Sequence, residues 1–259
     1  MSSDKRPQRI LELSDASFSY ERKGRRLIEG LALGVGEADF VGLLGANGSG
    51  KSTILKLLAG ILRPSRGEVN LWGKPIASLR NRDRAKLVSY LPQTLDMRVP
   101  FTAGELAAMG LYPYESPPGM SVEEALEMVG LGEKRDTPIT QLSGGERRRA
   151  YIAMTLLQGA GILLLDEPLA NLDIRFQMEL MRLLRELNSG RGISILMALH
   201  DVNLAFQFDR LVLVKEGKVL GEGPPERVLE RELLREAFEI DVSVHRLEEG
   251  SFITFGEGG

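Results

Sequence analysis

Apolar and polar positions change their rhythm several times along the chain. Near the start, "ILELSDASFSY" alternates as a half-exposed strand does, and "LIEGLALGV" follows it after a charged turn. "DFVGLL" is a continuous apolar run that feeds a glycine-rich stretch, and the helical spacing beyond it, through Leu58, ends at Gly60. "GEVNLWG" and "LVSYLPQ" predict two more short strands. From about Thr102 to Gly159 the period lengthens. "TAGELAAMG", "SVEEALEMVGLG" and "GGERRRAYIAMTLLQG" carry helical spacing, with Ser or Thr near their starts. "ILLLDEP" and, after an intervening helix, "ISILMALH" are nearly all apolar, the pattern of strands buried on both faces of a parallel sheet. "RLVLVKEGKVLGEG" predicts a hairpin turning at Glu216-Gly217, followed by two short helices and a final strand pair. No internal repeat is visible, and the only low-complexity segment is the Gly-rich end. The order is an α/β core, a helical insertion, and a return to the core.

Length and charge narrow this picture. With 259 residues the chain can bury a full core as one large domain or two modest ones. A net charge of −3 gives no sweeping basic field, which argues against nucleic acid as a partner. The basic clusters Arg80 to Arg84 and Arg147 to Arg149 are short and read as solvated helix faces. The absence of cysteine removes disulfides, Fe–S clusters and thiol catalysis. "MSSDKRPQRI" lacks an apolar core for secretion, and no apolar run approaches the roughly 20 residues of a membrane span. A soluble chain is expected, with any membrane role reached through a partner.

The stretch "GLLGANGSGKSTILKLLAG" holds the first candidate chemistry. Glycine weakens both a strand and a helix, so four of them at their junction need a reason. The spacing Gly45-x-x-x-x-Gly50-Lys51-Ser52, with Ala46, Asn47, Gly48 and Ser49 between and Thr53 after, fits a loop whose N–H groups turn inward around a phosphate. The helix starting at Lys51 adds its positive dipole end. Lys51 supplies a mobile cation for the outer phosphates, and the Ser52 hydroxyl can reach Mg²⁺. The alternative is an ordinary strand-turn-helix corner.

The second cluster lies in "LLLDEPLANLD", where a buried strand ends in Asp166 and Glu167. Such strand ends form the ligand-binding edge of open α/β sheets. Two adjacent carboxylates need a cation or a proton to balance them. With a phosphate loop elsewhere in the core, Mg²⁺ held by Asp166 is the natural balance, and Glu167 would face the attacking water. The alternative is an acidic pair that caps the next helix.

"LSGGE" at Leu142 to Glu146, ahead of "ILLLDEP", resembles the signature of ATP-binding cassette ATPases, and the chain is similar to that family over nearly its whole length. The resemblance implies an α/β P-loop NTPase with a RecA-like mixed-sheet core (about 1–92 and 160–259), an antiparallel β subdomain and an inserted helical subdomain (about 93–159). It assigns Tyr20 to stacking on adenine, Gln93 to the metal and the attacking water, and His200 to the γ-phosphate. His245 has no comparable context and reads as a surface strand residue. Ser143, Gly144 and Gly145 would form an anion-binding helix N-terminus facing the ATP of a second copy, packed head to tail, and Asp173 would cross the same interface. Glu146 departs from the usual Gln, and Ala170-Asn171 departs from the frequent Ser-Ala pair.

Within the family, the lack of spans and the single loop and signature, about a hundred residues apart, leave the separate ATPase subunit of a transporter. "FTAGELAAMGLYPY", "LSGGERRR", "LHDVNLAFQFDRLVLVKEGKVLGEGPPERVL" and "ELLREAFEIDV" resemble importers of iron–siderophores, haem and cobalamin, with Leu111 departing from the arginine common there. This implies ATP and Mg²⁺ as cofactors, an integral membrane permease as partner, and indirectly a substrate-binding protein. The location implied is the cytoplasmic face of the inner membrane, held there by the permease. The segment from Gln93 to about Tyr114, with Phe101 and Met109, is the expected permease groove. A soluble cassette ATPase without a transport partner, and a non-hydrolysing regulator, are the other readings.

Overall fold

The computed structural model describes residues 9–21, 26–93, 101–116, 119–170, 172–247 and 250–256. In chain order its elements are β1 (Arg9–Phe18), β2 (Ile28–Gly36), β3 (Phe40–Leu44), α1 (Lys51–Leu58), β4 (Arg66–Leu71), β5 (Lys74–Pro75), α2 (Asn81–Ala85), β6 (Val88–Leu91), α3 (Ala103–Ala108), α4 (Val122–Met128), α5 (Gly144–Leu157), β7 (Ile162–Asp166), α6 (Ile174–Arg191), β8 (Ser194–Leu199), β9 (Arg210–Lys215), β10 (Lys218–Gly223), α7 (Pro225–Val228), α8 (Arg231–Phe238), β11 (Val242–Leu247) and β12 (Gly250–Phe255). They form two compact units, Met1–Ser78 with Leu196–Gly259, and Leu79–Ile195.

In the first unit an antiparallel sheet is ordered β2-β1-β4-β5. Leu11, Leu13 and Ala16 on β1 face Val35, Leu33 and Leu31 on β2, and all six are buried. These apolar cross-strand pairs fix the register, because a one-residue slip would turn them to water. A second sheet in this unit runs β10-β9-β3-β8. Strand β3 pairs in parallel with β9, from Val41 opposite Arg210 to Leu44 opposite Leu213. Every residue of β3 and β8 is buried, as the continuous apolar runs predict. Phe40 stacks on Phe208 with ring centres 4.8 Å apart. Arg210, at the start of β9, bonds Asp39 just ahead of β3 (2.6 Å), the Gly34 carbonyl near the end of β2 (2.8 Å) and Glu222 near the end of β10 (2.5 Å).

The β9–β10 hairpin turns at Glu216 and Gly217, both with positive φ (45° and 73°). A two-residue turn with two left-handed positions matches the twist of the strands it joins. Gly217 does more than turn. Its N–H donates to the Ser49 carbonyl at 2.8 Å, and a Cβ at this position would run into the Leu27 carbonyl. The hairpin therefore braces the glycine loop from behind.

In the second unit β6 and β7 pair in parallel, Val88 opposite Ile162 through Leu91 opposite Leu165. Helices α3, α4 and α5 pack through Leu106, Ala107, Ala125, Leu126, Ile152 and Ala153, all buried. Each of the three starts with the same device: Thr102 with Glu105, Ser121 with Glu124, and Ser143 with Glu146 form reciprocal capping boxes. The hydroxyl accepts the N3 amide while the carboxylate accepts the N-cap amide, so two orphan donors are satisfied. The Ser and Thr at these predicted helix starts are the caps. No helix among the described residues is long and apolar enough to cross a membrane.

One expectation is overturned here. Arg147 to Arg149 do not form a solvated face: Arg148 and Arg149 are 5% and 9% exposed. Arg148 shares a helical stripe with the buried Ile152 and Thr155, at spacings of four and seven, which carries it inward. The other basic cluster is solvated as expected, with the Arg80 side chain 86% exposed.

Gly217→Ala combines positive-φ strain with a backbone collision. It should cost about 1–3 kcal/mol, and urea unfolding of native and variant chains measures the loss.

Candidate functional site

In the first unit the glycine loop leaves buried β3 and closes on the N-terminus of α1. Gly50 is the N-cap with φ 105°, a conformation closed to other residues at this cost. A Cβ on Gly45 would strike the Val214 carbonyl and Ser49, so bare backbone is required there. Lys51 is buried, and its ammonium donates to the carbonyls of Gly45 (2.7 Å) and Ala46 (3.1 Å). The loop thus curls around its own cation. The Ser49 hydroxyl is buried and has no hydrogen-bond partner, a donor left over in the same loop. A cavity of about 510 Å³ borders Ala46, Asn47, Gly48 and Ser49, with Arg26, Lys215, Glu216 and Glu239 on its wall. The loop's own bare backbone, the Lys51 ammonium and the Ser49 hydroxyl are what suit an anion. A larger cavity of about 750 Å³, floored by Leu156, Leu157 and Leu187 in the second unit, includes none of the motif residues. Size alone does not mark the site.

Tyr20 is 63% exposed, packs edge-on against Phe18 with ring centres 5.0 Å apart, and pairs its hydroxyl with Thr53 of α1 at 3.2 Å. The ring is held near the loop's helix while its surface stays open to solvent. His200, also in the first unit, follows buried β8 directly and is exposed.

The second unit brings another set together. Asp166 ends β7 at 1% exposure and accepts a bond from the Tyr90 hydroxyl at 3.2 Å. Glu167 is half-buried and sits in the left-handed region at φ 49°, strained for a residue with a Cβ. Its carboxylate accepts a hydrogen bond from the Gln93 side-chain amide at 2.8 Å. Beneath this pair lies the residue that the sequence reading missed. The Arg148 guanidinium donates to the carbonyls of Pro92 (3.1 Å), Gln93 (2.7 Å), Asp166 (2.8 Å), Glu167 (2.6 Å) and Pro168 (3.2 Å). Burial lowers its pKa, opposed by the nearby Asp166, Glu167 and Tyr90. The signal available in the sequence was the apolar stripe that Arg148 shares.

Ser143 is exposed and caps α5, with Gly144 exposed and Gly145 half-exposed in its first turn. Glu146 also bonds Lys134 at 2.5 Å, and its carboxyl is held at about 2, first by that bond and then by the Ser143 amide. Gln in its place could cap but could not pair with Lys134. Asp173 caps α6, accepting from the Phe176 amide at 3.0 Å, while Asn171 lies outside the described residues. Among the described residues no group of three His, Cys, Asp or Glu could hold a metal. Mg²⁺ needs no such cage, since it is held by one or two carboxylates together with substrate phosphates.

A glycine loop closing on Lys-Ser at a helix start, in a chain whose buried strand β7 ends in Asp-Glu, defines a P-loop protein that binds and hydrolyses a nucleotide. A family model described as ABC transporter matches residues 28–170. The chain belongs to the ABC transporter family as an ATP-binding subunit, an ATPase. It is 41% identical over 245 residues to the hemin import ATP-binding protein HmuV of Bradyrhizobium diazoefficiens, covering 90% of this chain and 91% of that one. It is 40% identical over 243 residues to the petrobactin import ATP-binding protein FpuC of Bacillus anthracis, covering 91% and 89%. Among solved structures it resembles the dimeric post-hydrolysis state of the ATP-binding cassette MJ0796 bound to ADP and Pi. There the TM-score is 0.76 at 26% identity, covering 83% of this chain and 98% of that one.

A Glu146→Gln variant tests the Lys134 pair. The folded carboxyl is depressed from 4.5 to about 2, so its contribution is complete above pH 4.5 and fades as pH falls toward 2. Half-exposed pairs are screened, so the native advantage should be under about 1 kcal/mol at pH 7. Thermal melts from pH 7 to 3 should show the two proteins converging.

Proposed function

We propose that this chain is the ATP-hydrolysing subunit of an importer for an iron chelate or haem, working as a head-to-tail dimer on a membrane permease. The observation that carries the chemistry is the Gln93–Glu167 hydrogen bond beside a buried Asp166, in a chain that also has a complete phosphate loop. The names of the relatives support the cargo class, and the dimeric cassette bound to ADP and Pi supports the assembly. A substrate-binding protein outside the membrane and a position on the cytoplasmic side of the cell membrane belong to the same reading.

Each residue then has a task. The amides of residues 45–51 and the Lys51 ammonium hold the β- and γ-phosphates, with Lys51 exchanging its loop carbonyls for phosphate oxygens. Tyr20 offers its open ring face to adenine. Glu167 orients the attacking water and accepts its proton, with the Gln93 amide fixing the carboxylate. His200 contacts the γ-phosphate. Ser143 and the amides of Gly144 and Gly145 receive the γ-phosphate of the nucleotide held by the second copy, and Asp173 lies at that interface. Ser52, Asp166 and Gln93 are the residues that would hold Mg²⁺, which when bound would neutralise phosphate charge. The donor set fits a hard cation: one hydroxyl, one amide and one buried carboxylate. Binding closes the dimer because both copies share each γ-phosphate, and hydrolysis opens it.

The segment from Gln93 to Tyr114 remains the proposed permease contact. Residues 94–100 lie outside the described part, and Phe101 and Met109 are half-buried, which leaves each some surface for a partner.

Glu167→Gln keeps size and removes the base. Hydrolysis should fall by roughly 10²- to 10⁴-fold, while ATP binding persists and an ATP-bound dimer accumulates on size exclusion. Native turnover in this variant would sink the assignment. In vesicles holding the permease, uptake should stop with it.

Tyr20→Ala should weaken ATP and GTP alike, by about 1–3 kcal/mol on the scale of base–aromatic stacking. Tyr20→Phe, which loses only the Thr53 bond, should bind far better than the Ala variant in equilibrium titration.

A further inference from the structure

We propose that Arg148 is a positioning residue for hydrolysis, fixing the Gln93–Glu167 pair to helix α5. The proposal rests on the ATPase reading above and adds a residue that this reading does not use. A guanidinium has five N–H donors in a rigid plane and suits several carbonyls converging on one point. Arg148 meets such a set: Pro92 and Gln93 on one loop, Asp166, Glu167 and Pro168 on the other. Between the same two loops the Gln93 side-chain amide donates to the Glu167 carboxylate at 2.8 Å. Arg148 therefore sets the separation across which that bond forms.

The strain at Glu167 points the same way. A left-handed glutamate relaxes unless its surroundings hold it. The Arg148 bonds to the Asp166 and Glu167 carbonyls, at 2.8 and 2.6 Å, hold the peptide on both sides of that Cα. Burial makes the grip costly to release, because any carbonyl let go has little water to turn to and the charge is 5% exposed. Arg148 also lies on α5, the helix that begins at Ser143. A helix moves as a rigid rod, so whatever engages the Ser143 end carries Arg148 with it. The hydrolytic pair thus follows the position of the signature helix.

The test uses Arg148→Lys, which keeps the charge but cannot fork, and Arg148→Gln, which is neutral and shorter. Each is made in the native chain and in a Gln93→Ala background, and native turnover is measured alongside. Turnover should fall by roughly 10- to 100-fold, as when a group that orients a catalytic side chain is lost, with ATP affinity by equilibrium titration close to native and a single melting transition retained. In the Gln93→Ala background most of that loss should vanish, because a residue that acts through the pair has nothing left to position. Native turnover in a folded Arg148→Lys overturns the proposal. So does an equal loss in both backgrounds, or loss of folding in both variants, since each makes Arg148 a structural residue only. Absence of ATP hydrolysis in the native chain would instead undercut the function on which the proposal rests.

Discussion

Backbone carbonyls that leave a buried strand must find donors, and this chain meets the need with buried cations. Unpaired polar backbone in an apolar surrounding costs as much as a lost hydrogen bond, so loops at such ends are normally pushed to the surface. In the first unit Lys51 turns back onto Gly45 and Ala46 just beyond β3. In the second, Arg148 collects five carbonyls beyond β6 and β7. The two cations differ in kind. The Lys ammonium is a point charge on a flexible stem, able to trade carbonyl for phosphate, while the Arg fork fixes a geometry. One solution suits a ligand that comes and goes, and the other suits a constellation that must not drift.

The cost of these solutions is visible nearby. Glu167 occupies a left-handed conformation, Ser49 has a buried hydroxyl without a partner, and Arg148 has its pKa lowered by burial. All three lie in or beside the motifs that carry the chemistry, where strain and unmet polar groups serve a ligand. Their support is regular structure: the fully buried strands β3, β7 and β8 give the loops a rigid root.

Helix starts form the second recurring device. Three capping boxes in the second unit anchor α3, α4 and α5 against short connections. At α5 the box has a further consequence. It engages the Ser143 hydroxyl as an acceptor from Glu146, yet leaves Ser143 and Gly144 exposed at the dipole's positive end. The Glu146 carboxylate is in turn kept ionised by Lys134. A Glu at this signature position is therefore accommodated locally, by one lysine twelve residues earlier.

The sequence by itself determined whatever depends on neighbours along the chain. Apolar runs marked β3, β7 and β8, Ser and Thr marked the caps, Glu216-Gly217 marked the hairpin, and Gly45 to Ser52 marked the phosphate loop, because each is a matter of local period, φ or missing Cβ. Tertiary structure decided what depends on residues far apart. Arg148 looks like one more charge in "ERRR" until the carbonyls of Pro92 and of Asp166 to Pro168 converge on it from other segments. Likewise, the Tyr90 hydroxyl meets Asp166 across 76 positions, and the Gly217 amide meets Ser49 only when the hairpin folds under the loop. No local pattern encodes such meetings, since a buried charge is repaid only by acceptors that the fold assembles.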